Sequence, residues 1–258
     1  MAAILTEKQK HSPLYKYYEI PIAPVPQERI ASIMQITGEK PCTITCQELN
    51  RMFDSETSPD DYGIYQCPDG GRLLSNVLPM PDVTPEMFDW WFAWHGLDTM
   101  RYIIWDKDDH YYCQTRDIEH TLDRSLSMKE RYWNTTHDVK EALLDEEDPI
   151  PVVIPFVPPA AIGFDADRLE TFQGTIVCTS GPVIMFHFLQ PAEKGYTLRS
   201  RFYIGYEATP EGNKRLPDFN PPVELAKAML VHNIKEYTHL GKILPDLYRE
   251  FKDDFLVE

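Results

Sequence analysis

The residues whose types and spacing best suit chemistry are a histidine and a glutamate near the C-terminus, His232 and Glu236. Steps of three and four residues place both on one face of a predicted helix, in the set Leu225, Met229, His232, Glu236, Leu240 and Ile243. An unpaired carboxylate buried on such a face is strongly destabilising, so Glu236 needs a partner. An imidazole and a carboxylate one turn apart can hold a divalent cation. In the alternative, Glu236 pairs with a lysine or arginine and His232 hydrogen-bonds a carbonyl group, and the spacing alone decides for neither.

A metal site on this helix needs further ligands from elsewhere in the chain. His110 follows the strand-like run from Tyr102 to Trp105, and Glu141 precedes the acidic run from Asp145 to Asp148, which we interpret as a solvated loop. Taken singly, His110 is typical of a loop histidine and Glu141 of a solvated charge. His95 is the strongest rival, because it ends a helix rich in aromatic residues. The other histidines that compete for the same role are His11, His120, His137, His187 and His239.

The aromatic helix has a clear start. Thr84 precedes Pro85 and Glu86, which predicts an N-cap, a proline in the first helical position and an acidic first turn. Five large aromatic residues lie between Phe88 and Trp94, and they cannot all face water. We therefore predict a helix from Thr84 to about His95 that is buried on most sides.

The rest of the second half of the chain predicts a sheet and one long helix. Short segments rich in β-branched or aromatic residues are Tyr102 to Trp105, Val152 to Val157, Gly174 to Cys178, Val183 to Leu189 and Thr197 to Ile204. After residue 150 the connections are too short for helical crossovers, so the sheet is expected to be antiparallel. The last helix begins near Pro222, and Gly241 and Pro245 are expected to bend or break it. A curved sheet that grips one long helix commonly leaves a ligand cavity between the two.

The first third of the chain shows less pattern. We predict an irregular region over residues 1–80, with short helices at Glu28 to Ile36 and Thr45 to Met52, and a second domain over residues 81–258. The irregular region is a candidate subunit interface.

Composition excludes several classes of protein. The 258 residues are 43% hydrophobic, which permits a sizeable core, and a net charge of −16 repels phosphate backbones and anionic membranes. We therefore expect no nucleic-acid partner. The sequence shows no membrane-spanning run and no leader, so a cytoplasmic location is expected. The odd number of cysteines lacks framework spacing and predicts reduced, buried thiols at Cys42, Cys46, Cys67, Cys113 and Cys178.

Several motifs resemble those of one known family, the phloretin hydrolases and diacetylphloroglucinol hydrolases. They are Trp90-Trp91-Phe92-Ala93-Trp94-His95, then Arg101-Tyr102-Ile103-Ile104-Trp105 with His110 five residues on, Arg199-Ser200-Arg201-Phe202-Tyr203-Ile204-Gly205, and the helix of His232 and Glu236. The resemblance covers roughly residues 85–251. It implies an α+β, Bet v 1-like helix-grip domain, a homodimer, and cleavage of the carbon–carbon bond between a polyphenol ring and a ketone.

The resemblance also implies roles for individual residues. One Zn²⁺ is expected on His110, Glu141, His232 and Glu236, and the candidate catalytic residues are Tyr102, His187 and Glu141. Cys113 stands where a polar pocket residue is expected. The alternative is a non-catalytic helix-grip protein that binds aromatic small molecules, in a pocket lined by Trp90, Trp91, Trp94, Trp105 and Trp133. A zinc peptidase is set aside, because residues 232–236 read His-Asn-Ile-Lys-Glu and not His-Glu-x-x-His.

Overall fold

A computed structural model of the protein describes residues 2–37, 39–143 and 148–256, so most of the predicted acidic run at 145–148 lies outside the described residues. The α-helices are α1 Glu7–Lys10, α2 Tyr15–Tyr18, α3 Gln27–Met34, α4 Pro85–Trp94, α5 Thr99–Ile103, α6 Ile118–Leu122, α7 Ala166–Thr171 and α8 Val223–Phe251. The strands are β1 Lys40–Pro41, β2 Gly63–Gln66, β3 Arg72–Met80, β4 His110–Thr115, β5 Thr136–Glu141, β6 Ile150–Val157, β7 Thr175–Thr179, β8 Val183–Pro191, β9 Tyr196–Ile204, β10 Tyr206–Thr209 and β11 Gly212–Arg215. Short 3₁₀ helices lie at Leu49–Phe53, His95–Leu97 and Pro159–Ile162.

Nine of these strands form one large curved sheet in the order β1-β2-β3-β9-β8-β7-β6-β5-β4. Its neighbouring strands are antiparallel except for the parallel pair β1 and β2, which confirms the predicted sheet. Strand β9, next to the central strand β8, pairs along its whole length with both β3 and β8. The fold is therefore α+β, with a C-terminal helix on the sheet, as predicted.

Helix α8 packs against β3 and α4 and buries the face predicted for it. His232, Glu236, Leu240 and Ile243 are buried, and the two earlier members of the set are half-buried. The predicted break is wrong, because the helix continues through Gly241 and Pro245 to Phe251. A proline inside a helix costs about 3 kcal/mol. Buried side chains on both sides of it, from Leu240 to Phe251, offset that cost by packing in the core.

Helix α4 forms as the sequence predicts. The hydroxyl of Thr84 accepts a hydrogen bond from the backbone N–H of Met87 at 3.3 Å, which caps the first turn. All five of its large aromatic side chains are at most 2% exposed. The rings of Trp90 and Trp94 stack with their centroids 4.6 Å apart, so the helix is embedded in the core.

Two predictions about local structure are wrong. The run from Tyr102 to Trp105 is not a strand, since α5 begins after Asp98, whose carboxylate accepts a hydrogen bond from Met100 N at 2.6 Å. Burial on every side selects aromatic and β-branched residues as strongly as a strand does. The irregular region predicted over residues 1–80 holds β1, β2 and β3, so the sheet includes strands from both sides of the boundary predicted after residue 80.

Buried ion pairs connect residues 43–61 to the face of the sheet that points away from α8. Two arginines of β9 are buried there: Arg201 Nη2 donates to Asp60 Oδ1 at 2.9 Å, and Arg199 Nη2 donates to Asp61 Oδ1 at 2.9 Å. Asp60 is fully buried and also accepts hydrogen bonds from the backbone N–H groups of Thr43 and Ile44. This buried ion-pair cluster joins residues 43–61 to the centre of the sheet.

All five cysteines are buried and unpaired, as predicted. The sulfur atoms of Cys42 and Cys67 lie 3.4 Å apart. The parallel pairing of β1 with β2 brings these two residues side by side. Among the described residues, we find no helix with the length and apolar character that crossing a bilayer requires.

Candidate metal centre and active site

A β-bulge directs His110 into the interior. On β4 and β5, His110 lies opposite Glu141 and Tyr112 opposite Lys140, so Tyr111 is one extra residue in its strand. Without this extra residue, His110 and Cys113 would face opposite sides of the sheet, because side chains three positions apart in a regular strand do so. The bulge lets His110 and Cys113 share the inner face, where both are fully buried.

Helix α8 brings His232 and Glu236 to the same place. His110 Nε2 and His232 Nε2 are 3.3 Å apart, and Glu236 Oε2 lies 3.7 Å from the first and 3.8 Å from the second. One carboxylate oxygen of Glu141 lies within 4.8 Å of a ring nitrogen of each histidine. The structure therefore brings together all four residues predicted as metal ligands.

The donor set fits a divalent cation. Among the described residues, no lysine or arginine contacts Glu236, and His232 Nδ1 meets the carboxylate of Asp109 and not a carbonyl group, so the alternative pairing is wrong. Burial raises the pKa of Glu236 to about 8, and His232 lowers it only in part. Burial and the neighbouring His232 hold the pKa of His110 well below its usual value, which leaves its lone pair free. Two imidazoles and two carboxylates are a ligand set suited to zinc.

A surrounding layer of polar residues fixes the ligands. His110 Nδ1 lies 3.2 Å from the backbone carbonyl of Tyr102, and His232 Nδ1 lies 3.3 Å from Asp109 Oδ2. Lys235 Nζ in turn donates to Asp109 at 2.6 Å and pairs with Asp106 at 3.0 Å. Such contacts orient the ring and raise the basicity of a metal-binding histidine.

Replacing Asp109 with Asn is expected to weaken metal binding about 10–100-fold, because His232 loses the carboxylate that orients and polarises its ring. Lys235 keeps Asp106, so the change leaves no unpaired cation. The affinity is measured by competition with a chromophoric chelator. Asp138→Asn is the control, since that carboxylate lies on β5 and is 42% exposed. Equal affinities in both variants would show that Asp109 does not support the site.

The candidate metal centre opens on a cavity of about 300 Å³ between the sheet and α8. Its walls are mainly apolar and aromatic, and the polar side chains in its lining include Tyr102, Glu141, His187, His232 and Glu236. A cavity with apolar walls and a few convergent polar groups is typical of a small-molecule site. Of the five tryptophans, Trp105 lines it, and Trp90, Trp91 and Trp94 pack in the core.

Tyr102 and His187, the predicted catalytic residues, both line this cavity. The Tyr102 ring stacks on His110 with centroids 4.0 Å apart, and its hydroxyl donates a hydrogen bond to Glu141 Oε1. Burial and the nearby Glu141 raise the pKa of Tyr102 well above its usual value. His187 Nδ1 lies 2.8 Å from Ser200 Oγ, and burial lowers the pKa of His187 to about 3, so its ring is neutral.

The competing histidines do not belong to the group of four predicted metal ligands. His95 groups with Cys113 and His137, one donor atom from each lying within 4.8 Å of the others. His239 Nδ1 accepts a hydrogen bond from Ala23 N at 3.1 Å, and exposed His11 and His120 each contact a backbone carbonyl.

Comparison with known proteins decides the family. Residues 44–249 match the profile described as the DAPG hydrolase PhiG domain, which is most of the chain. The chain belongs to this family. It is 36% identical to the phloretin hydrolase of Eubacterium ramulus, over 96% of this chain and 94% of that protein. It is 26% identical to the 2,4-diacetylphloroglucinol hydrolase of Pseudomonas protegens, over 94% of this chain and 85% of that protein.

These relatives are hydrolases that cleave carbon–carbon bonds, and this DAPG hydrolase family member is an enzyme of that class. Among solved structures, Ara h 8.0201 aligns with a TM-score of 0.41 and 10% identity, over 69% of this chain and 99% of that one. Protein NE0264 from Nitrosomonas europaea aligns with a TM-score of 0.37 and 12% identity, over 70% of this chain and 96% of that one.

Sequence reasoning missed the residues that support the ligands. Asp109 immediately precedes His110, Asp106 lies four positions before it, and Lys235 lies one turn after His232. The run Asp106-Lys107-Asp108-Asp109-His110 gave no signal by itself, because Asp109 contacts the ring of His232 and not the ring of its neighbour His110.

Proposed function

We propose that this enzyme is a zinc-dependent hydrolase of acylphloroglucinol or phloretin-type ketones, releasing a phloroglucinol-type phenol and a carboxylic acid. The observation that carries the proposal is the buried cluster of His110, Glu141, His232 and Glu236 at an apolar cavity. The substrate class follows from the names of the relatives. A cytoplasmic location and a homodimer stay predictions.

The reaction needs both an acid and an activated oxygen. An aryl carbanion is a very poor leaving group, so the ring carbon that bears the acyl group must be protonated before or as the bond breaks. Ring hydroxyls ortho and para to the acyl group make the resulting keto tautomer accessible. Zinc held by His110, Glu141, His232 and Glu236 would supply Lewis-acid chemistry toward an oxygen of substrate or water.

The cavity residues would hold protons and orient the ring. Tyr102 keeps its proton at neutral pH and donates a hydrogen bond to Glu141 Oε1, which makes this pair the proposed proton carrier. His187 is neutral and anchored by Ser200, so we assign it to orienting a ring hydroxyl by hydrogen bonding. Aromatic walls such as Phe92 and Phe156 exclude water and pack against the faces of the substrate.

Elemental analysis of protein purified without a metal-affinity tag tests the metal, with at least one zinc per chain expected. Chromatography after incubation with phloretin and with acylphloroglucinols tests the reaction. We expect a free phloroglucinol-type ring and the matching acid. Tight binding of the ketone with full recovery would instead favour the non-catalytic binding protein.

Replacing Tyr102 with Phe is expected to lower kcat about 10²–10⁴-fold, the usual contribution of a positioned acid or base. The metal content should stay at the wild-type value, because the ring stack on His110 is kept and only the hydroxyl is removed. Steady-state kinetics and elemental analysis of the same sample separate the two effects. An unchanged kcat would remove Tyr102 from the mechanism.

A further inference from the structure

A second cluster of metal-binding side chains lies in the wall of the same cavity. His95, Cys113 and His137 are each at most 2% exposed, and one donor atom from each lies within 4.8 Å of the others. They come from the end of α4 and from the neighbouring strands β4 and β5. None of them belongs to the quartet of His110, Glu141, His232 and Glu236.

The contacts of His95 leave one of its ring nitrogens available to a metal. Its Nδ1 lies 2.8 Å from the backbone carbonyl of Trp91, so Nδ1 carries the proton and Nε2 carries the lone pair. A histidine with one nitrogen on a carbonyl group and the other free is the arrangement that metal-binding histidines use. The ring is also held between Trp91 and Tyr102, which stack on it at centroid distances of 5.4 and 5.9 Å.

His137 and Cys113 are equally well placed. His137 Nδ1 and Cys113 Sγ are 3.9 Å apart, close to the separation of about 3.5 Å between two ligands of a tetrahedral zinc. The His137 ring packs directly on Gly96, where an added Cβ would lie 2.3 Å from it, so the ring position is fixed. Burial lowers the pKa of His95 to about 4 and that of His137 well below its usual value, and both rings therefore offer lone pairs at neutral pH.

We propose that His95, Cys113 and His137 form a second cation site, selective for thiophilic divalent metals such as Zn²⁺, Co²⁺ and Cd²⁺. Two imidazoles and one sulfur suit these ions and exclude Mg²⁺ and Ca²⁺, which require oxygen ligands. Binding replaces the thiol proton of Cys113: the S–H bond breaks, a sulfur–metal bond forms, and one proton leaves to solvent. His95 and His137 line the cavity, so the bound cation lies in its wall.

Titration with Co²⁺ tests the proposal, because only a sulfur ligand gives a near-ultraviolet thiolate-to-cobalt charge-transfer band. We expect the full-length protein to bind two cobalt ions, of which one produces this band. Cys113→Ser should bind one cobalt without the band. His95→Gln should lower the affinity for the cobalt ion that gives the band more than tenfold. This second variant still tests the site if Cys113→Ser folds poorly.

Two further variants assign the band. Glu236→Gln should keep the charge-transfer band, because Glu236 belongs to the centre with His110, Glu141 and His232. Failure of that centre is therefore distinguishable from failure of the site with Cys113. A double change of Cys42 and Cys67 to Ser should also keep the band, which excludes the other close pair of thiols. Absence of the band at saturating cobalt, or its survival in Cys113→Ser, would overturn the second site.

Discussion

Replacing Glu236 with Gln is expected to remove the metal from the centre formed with His110, Glu141 and His232 and to lower kcat/KM strongly. The change keeps the shape of the side chain but removes the carboxylate whose oxygen lies within 3.8 Å of both His110 and His232. Lewis-acid chemistry contributes several kcal/mol to a reaction of this kind. Because each 1.36 kcal/mol is tenfold in rate, a loss of about 4 kcal/mol lowers kcat/KM about 10³-fold. Metal per chain and kcat/KM are measured on the same preparation.

Asp246→Asn is the matched control for this prediction. Asp246 lies on the same helix, ten residues further on, and is 62% exposed beside Arg249. It should keep wild-type metal content and activity. Full activity of Glu236→Gln without bound metal would show that the cluster is structural and that the reaction proceeds without it.

Replacing Arg201 with Met is expected to lower the free energy of unfolding by about 3–5 kcal/mol, the usual effect of removing one partner from a buried ion pair. Burial alone would raise the pKa of Asp60, but Arg201 and several hydrogen bonds hold it below its usual range. Without the guanidinium, a fully buried carboxylate loses the cation that balances its charge. Urea unfolding of both proteins measures the difference.

The same variant has a predicted pH dependence. In the wild type the lowered pKa of Asp60 stabilises the fold above the unfolded value of about 4, and this stability is lost as pH falls through the lowered pKa. In Arg201→Met, burial instead raises that pKa, so the carboxylate destabilises the fold as pH rises. The difference in free energy of unfolding between the wild type and Arg201→Met should therefore be larger at pH 7 than at pH 4.

Arg116→Met provides the comparison for an exposed pair. Arg116 contacts Asp138 through two hydrogen bonds of 2.8 and 2.6 Å, but the two side chains are 54% and 42% exposed. Pairs of this kind contribute about 1 kcal/mol or less. If both variants lost the same stability, burial would not be the reason for the effect at Arg201.

Several features of this protein are determined by local sequence. Thr84 and Pro85 set the start of α4, and the density of aromatic residues after them requires burial. The steps of three and four residues in the last helix place His232 and Glu236 on the buried face. These predictions succeed because capping and helical periodicity depend on residues within one or two turns of each other.

Other features depend on neighbours that are distant in the chain. Nothing in the local sequence shows that Tyr111 is an extra residue in β4, because a bulge exists only relative to its partner strand. Packing in the core keeps α8 helical through Pro245 and folds Tyr102 into a helix despite its strand-like neighbours. Strands β1 to β3 are recognisable mainly through their pairing with β9 and with each other.

The candidate metal centre combines both kinds of information. Spacing on one helix supplies His232 and Glu236, whereas His110 and Glu141 reach them only because antiparallel pairing and a bulge turn both inward. Asp109 and the second cluster of His95, Cys113 and His137 come together the same way. The sequence by itself thus determines which chemical groups are present and which helix face carries two of them. Only the tertiary structure decides which groups meet, because metal coordination depends on distances of a few ångströms between residues that lie far apart in the chain.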